Sequence, residues 1–210
     1  GAGPAAALLG VGGDELQPVV VDLADLGGTF VVAGPGRSGR STALATLVRS
    51  LAGRGADGLP IVLVTPRPSP LRDLAGLPGV VAVLSTAEEI AGLGELLDEL
   101  APLAVVVDDA ELLADGPPAV ELGRLVRTCR DSGSVLVAAG TTDDLLSSRY
   151  RGWLADARRP RSGLLLCPAT ATDGELFDLR LPRSAGAGWP PGRGLLVDRG
   201  RPSLVQVARP

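Results

Sequence analysis

Apolar residues along this chain fall into short unbroken runs separated by stretches of helical periodicity. Residues 29–33 (TFVVA), 61–65 (IVLVT), 80–84 (VVAVL), 103–107 (LAVVV), 135–139 (VLVAA) and 164–167 (LLLC) are too short for helices and lack polar alternation. That is the pattern of strands buried on both faces. Between them, residues 40–51 (RSTALATLVRSL) carry apolar positions at helical spacing, stopped by three glycines between 53 and 58. Ser85-Thr86 followed by Glu88 and Glu89 opens a helix running towards Leu100. Residues 119–130 place Leu122, Leu125, Val126 and Cys129 on one helical face, and a further helix is expected over 145–157. Strands alternating with helices predict an α/β fold, a mainly parallel sheet flanked by helices. Residues 19–21 add a short strand, and 195–197 with 203–207 a C-terminal β-hairpin. Residues 1–9, rich in Ala and Gly, are expected to be a flexible segment ahead of a single domain over 10–210.

Composition narrows the chemistry. In 210 residues, apolar types make up 45% but aromatics only 2%, so the core must be Val, Leu and Ala. No apolar run approaches the length of a membrane span, and direct membrane insertion is not expected. The chain begins at Gly1 without Met, as expected of an excised domain whose parent carries any anchor elsewhere. With no His and only Cys129 and Cys167, zinc sites and Ser-His or Cys-His catalysis fall away, and a reducing, cytoplasmic setting fits. A net charge of −4 disfavours broad electrostatic binding to DNA. All 20 basic residues are Arg.

The chemistry concentrates where the run 29–33 breaks into Gly34-Pro35-Gly36-Arg37-Ser38-Gly39-Arg40-Ser41-Thr42. Strand, glycine turn and helix form a phosphate cradle, in which backbone N–H groups converge on an anion and the helix N-terminus adds partial positive charge. The segment is one residue from G-x-x-x-x-G-K-[ST], with Arg40 at the lysine position. It also satisfies G-x-G-x-x-G, the dinucleotide fingerprint, but Pro66-Arg67 follows the next strand where that reading wants an acid. The run 103–107 ends in Asp108-Asp109. A strand-end acid beside the loop strand suits the hydration shell of Mg²⁺, which makes Ser41 and Asp108 the candidate metal residues. Asp109 stands where a water-activating Glu is usual and is one methylene shorter. Thr141, at the end of 135–139, either senses a γ-phosphate or caps the next helix. Arg149, Arg151, Arg158, Arg159 and Arg161 form a basic cluster, read either as an interaction face or as a salt-bridged surface.

These parts together resemble a known family. LLGVGGDELQPVVVDLADLGGTFVVAGPGRSGRST is similar to the entry into the motor domain of FtsK/SpoIIIE-type ATPases, and VVVDD, AGTTDD and the tail from RPRSGLLLCP onward continue the likeness from Leu8 to the end. The Asp-Asp ending and the GLLL-x-P segment look most like the C-terminal ATPase domains of EccC/EssC-type motors of type VII secretion, or a stand-alone protein of the same family. The resemblance implies a RecA-like P-loop NTPase fold, ATP and Mg²⁺ as ligands, and neighbouring ATPase domains or hexamer subunits as partners. It also implies a membrane-associated parent and, in the secretion branch, recognition of a substrate signal peptide. By position, 34–42 would cradle phosphates, Ser41 and Asp108 would serve Mg²⁺, and Asp109 and Thr141 would be the hydrolytic positions, with Arg161 as a candidate arginine finger. Arg40 and Asp109 depart from the active pattern. The expectation is a degenerate ATP-binding module that hydrolyses weakly or not at all and regulates a motor or recognises its substrate. An active DNA translocase and a nucleotide-free interaction module are the alternatives.

Overall fold

The computed structural model describes residues 3–183 and 188–209. One ten-stranded sheet runs through it. Six apolar runs form its parallel part, and five of them, β3 (Thr29–Ala33), β4 (Ile61–Val64), β6 (Ala104–Val107), β7 (Val135–Gly140) and β8 (Gly163–Leu166), are buried at every residue. β5 (Val80–Leu84) is the half-exposed edge strand beside β4. Beyond β8, an antiparallel extension is built from β9 (Arg193–Asp198), β10 (Arg201–Val207), β1 (Ala6–Gly12) and β2 (Gln17–Asp22). The full order is β2-β1-β10-β9-β8-β3-β7-β6-β4-β5. The C-terminal hairpin is therefore present, as β9 and β10.

Helices cover both faces, as a parallel sheet requires. α1 (Arg40–Ala52) and the 3-10 turn Pro70–Leu74 close one face over Phe30, Val32, Leu63 and Val106. The other face carries α3 (Leu93–Leu100), α4 (Pro117–Ser132) and α6 (Gly152–Ala157), packed on Val31, Val105 and Leu136. Among the described residues, no helix is long and apolar enough to cross a membrane.

Three sequence expectations are corrected. The helix towards Leu100 is two, α2 (Ala87–Ala91), opened by a Thr86–Glu89 capping box, and α3, divided at Gly92. The helix over 145–157 is also two, α5 (Thr142–Ser147) and α6, because the chain leaves the helix after Ser147 and Arg151 is extended at φ −134°, ψ 148°. The segment taken as flexible contributes Ala6–Leu9 to β1, with Leu9 fully buried. Small residues there mark close packing: a β-carbon on Gly10 would come within 2.1 Å of the Gln206 carbonyl oxygen on β10. Residues 1 and 2 lie outside the described residues.

Candidate nucleotide site

The glycine loop leaves the C-terminal end of β3 and enters α1. Pro35, Gly36 and Arg37 form its exposed crest, while Ser38 is tucked beneath, its N–H donating to the Pro35 carbonyl at 3.2 Å. Gly39 turns the chain into the helix at φ 98°, a left-handed conformation that glycine adopts without strain. No side chain caps α1 and no acid sits in its first turn, so its N–H groups are left for an anion. A backbone bond from Gly192 N–H to the Ser38 carbonyl, at 2.7 Å, fastens the loop to the start of β9.

Asp108 and Ser41 meet at the mouth of the loop. The Ser41 hydroxyl donates to Asp108 Oδ2 at 3.1 Å, joining residues 67 apart in sequence, and Asp108 is only 5% exposed. One sequence expectation is corrected on the way: β6 does not lie beside β3, because β7 stands between them. The acid still reaches the loop, since all three strands end at the same edge. A second hydroxyl, that of Ser69, donates to the same Oδ2 at 2.7 Å while accepting from Leu71 N–H at 3.2 Å. Hard oxygens from a carboxylate and hydroxyls suit Mg²⁺. Among the described residues no cluster of three His, Cys, Asp or Glu could hold a metal by protein ligands alone, and Mg²⁺ characteristically takes its remaining ligands from phosphates and water.

Arg40 bends back on the loop, Nη1 donating to the Gly34 carbonyl at 3.2 Å. Its charge also reaches the acids opposite. Burial pushes the Asp109 carboxyl up, Asp108 adds to this, and Arg40 and Arg67 oppose it. Asp109 itself sits in a left-handed backbone conformation, φ 52°, as the chain turns from β6 into the 3-10 turn Ala110–Leu113. Thr141 caps α5: its hydroxyl donates to Asp144 Oδ2 at 2.5 Å and accepts from Asp144 N–H at 3.2 Å. The capping reading of Thr141 is thus the one the hydrogen bonds express, at the end of the strand between β3 and β6.

Sequence reasoning missed Ser69 and Glu111. Ser69 lies in a Pro-Arg-Pro-Ser-Pro loop with no periodic or motif signal. Glu111 lies two residues past Asp109, where the motif assigns no role, yet burial pushes its carboxyl up, against a hydrogen bond from its own backbone N–H, while the charges of Asp109 and Asp144 add to the rise and Arg40 opposes it. A cavity of about 450 Å³ opens beside the loop, lined by Gly39, Thr42, Arg49, Asp73, Gly192 and Gln206 among others.

The basic cluster lies elsewhere. Arg149 pairs with Glu175 at 3.5 Å, Arg158 with Asp178 at 3.7 Å, Arg159 with Asp156 at 2.9 Å and Arg161 with Asp178 at 3.9 Å. The salt-bridged reading holds for these four. Trp153 is core, its indole N–H donating to the Leu113 carbonyl at 2.8 Å.

The strand order also separates the two loop readings. In a dinucleotide fold the fingerprint strand pairs with the strand that follows it. Here β7 and β6 stand between β3 and β4.

No protein-family description matches the chain, and no curated protein matches it in sequence. Solved structures do match in fold. The cytoplasmic domain of the Thermomonospora curvata type VII secretion ATPase EccC superposes with a TM-score of 0.76 at 20% identity, over 98% of this chain and 26% of that one. EccC ATPases 2 and 3 from the same organism, in complex with a signal sequence peptide, give 0.77 at 21% identity over 100% of this chain and 41% of that one. The pCW3 conjugation coupling protein TcpA, with ATPγS, gives 0.64 at 15% identity over 98% and 66%. This chain thus spans about a quarter of the first of these proteins and less than half of the second. Its fold is similar to that of the ATPase domains in these type VII secretion ATPase structures.

Proposed function

We propose that this chain is an ATP-binding domain of a secretion or translocation motor. In this reading it holds ATP·Mg²⁺, turns it over slowly at most, and acts on the motor as a regulatory or substrate-recognition module. The observation that carries the proposal is the Ser41–Asp108 hydrogen bond at 3.1 Å, which sets a hydroxyl and a buried carboxylate together at the end of an uncapped helix. Residues 34–42 would wrap the phosphates with backbone N–H groups, and the neighbouring cavity has the size for a base and ribose. Mg²⁺ bound between Ser41, Asp108 and the phosphates would offset their charge. Slow turnover is argued from Arg40, a planar fork in place of a compact ammonium, and from the short Asp109. Calorimetric titration with ATP and Mg²⁺ tests the reading: saturable heats in the parent chain, lost in Asp108→Ala, are expected. Fast steady-state turnover that duplex DNA stimulates would replace it with the active translocase, against which the acidic charge argues.

One observation favours the second reading, a nucleotide-free interaction module. Arg40 closes on the carbonyl of its own loop at Gly34. Flat heats at high ATP concentration would select that reading.

A further inference from the structure

Glu111 has no role in the motif and a conspicuous place in the fold. It extends from the 3-10 turn Ala110–Leu113 to the end of β7, where a β-carbon on Gly140 would lie 2.4 Å from its Oε2. That end of β7 stands between the glycine-loop strand and the Asp108 strand. Glu111 Oε2 is buried and has no hydrogen-bond partner among the described residues. Two residues after Gly140, Thr142 is 4% exposed and its hydroxyl is likewise unpartnered. Buried polar atoms of native proteins are almost always paired. Two orphans at the end of the strand that lies between β3 and β6 point to a polar guest such as a water molecule.

We propose that Glu111, rather than Asp109, is the catalytic carboxylate that takes the proton from the attacking water in ATP hydrolysis by this chain. The inference rests on the ATP-binding reading above. In the step, the water oxygen bonds to the γ-phosphorus as the bond from that phosphorus to the β–γ bridging oxygen breaks. ADP leaves with that oxygen, the water proton passes to Glu111, and Glu111 later releases it to solvent. Two features favour Glu111 over its neighbour. It is one methylene longer, and its unpaired oxygen is already held against the strand end. Asp109, in contrast, is set on a left-handed turn, φ 52°, immediately after the Asp108 strand end. The charges around Glu111 are Asp109 and Asp144, which favour holding a proton, and Arg40, which opposes it.

The test compares the parent chain with Glu111→Gln, Asp109→Asn and Gly140→Ala in three measurements: ATP affinity by calorimetry, phosphate release in a single turnover with protein in excess, and stability against urea. The expected result is unchanged ATP affinity in Glu111→Gln with turnover reduced about a hundredfold or more, the scale of a lost general base. Asp109→Asn should lose less. Gly140→Ala, which displaces the carboxyl without altering it, should also slow turnover with binding kept. Stability supplies a readout independent of activity. An acid whose folded pKa is raised binds more protons folded than unfolded, so its contribution falls as pH rises through the window above its ordinary value of 4.5. Glu111→Gln should therefore be more stable than the parent at pH 8, with the gain vanishing near pH 4. Asp109→Asn losing turnover while Glu111→Gln keeps it would overturn the proposal, as would ATP binding without hydrolysis in the parent, or a Glu111→Gln chain less stable at pH 8. Absence of ATP binding in the parent would overturn the ATP-binding reading itself, and this inference with it.

Discussion

Arg40 is the residue on which the two functional readings divide. Its guanidinium donates to the Gly34 carbonyl at 3.2 Å, a bond that holds the loop on itself. A triphosphate in the loop offers the same donors a charged acceptor, and charge-assisted bonds are about twice as strong as neutral ones. Exchange of the carbonyl for phosphate is therefore favourable, and Arg40→Ala should weaken ATP binding. The expected loss is about tenfold to a hundredfold, from the roughly 1.5–3 kcal/mol of a hydrogen bond to a charged group. Calorimetry on the two proteins measures it. Should the affinity stay fixed while urea stability drops, the guanidinium is a loop latch and the nucleotide-free reading gains. Ser41 and Asp108 lie close by, and Ser69 adds a second hydroxyl to the same carboxylate oxygen. An incoming cation competes with both hydroxyl protons for Asp108 Oδ2, so these bonds mark where the site must rearrange on loading.

At the scale of elements, β1 shows what periodicity misses. Its sequence, AALLGVG, looks like a loose lead-in, yet Leu9 is fully buried and Gly10 lies against the β10 backbone. A methyl group at Gly10 would meet the Gln206 carbonyl oxygen at 2.1 Å, with the neighbouring backbone carbons at 2.9 Å, and backbone cannot step aside as a side-chain tip can. Gly10→Ala should destabilise the domain by about 1–3 kcal/mol, the usual scale of overpacking, read from the urea midpoint. The cost should fall on pairing of β1 with β10, so amide exchange should quicken there first. By contrast, β3, β4, β6, β7 and β8 were legible, because strands covered on both faces must be apolar at every position. The same contrast runs through the site. The glycine loop, Ser41 and Asp108 could be found because a phosphate cradle and a strand-end acid have fixed spacing. Ser69 and Glu111 could not, since a proline-rich loop and a 3-10 turn bring them in, and neither imposes a sequence period. The order of β6, β7 and β3 was hidden for another reason. Strand neighbours in a parallel sheet are set by crossover paths, which short apolar runs do not encode.

Across the whole molecule, parallel strands give the sheet two unlike edges. The glycine loop, Asp108, Asp109 and Thr141 all follow strand C-termini, while Arg161 precedes the first residue of β8, which runs parallel to β3. The five residues of β3 separate these edges by about 16 Å. That is further than an arginine side chain extends, so Arg161 cannot serve the loop of its own chain. Its ion pair with Asp178, at 3.9 Å, joins two half-exposed side chains, and such pairs contribute little. Arg161→Ala should accordingly leave urea stability within about 0.5 kcal/mol of the parent and ATP affinity unchanged, as surface substitutions away from a site do. The informative variable is protein concentration. An arginine at one edge can act only on nucleotide presented by another domain, and that encounter is second order in a solution of separate copies. Phosphate release per molecule that rises with concentration, and stops rising in Arg161→Ala, would assign the guanidinium to a neighbouring domain's nucleotide. A flat rate in both proteins would leave it as one half of a surface pair.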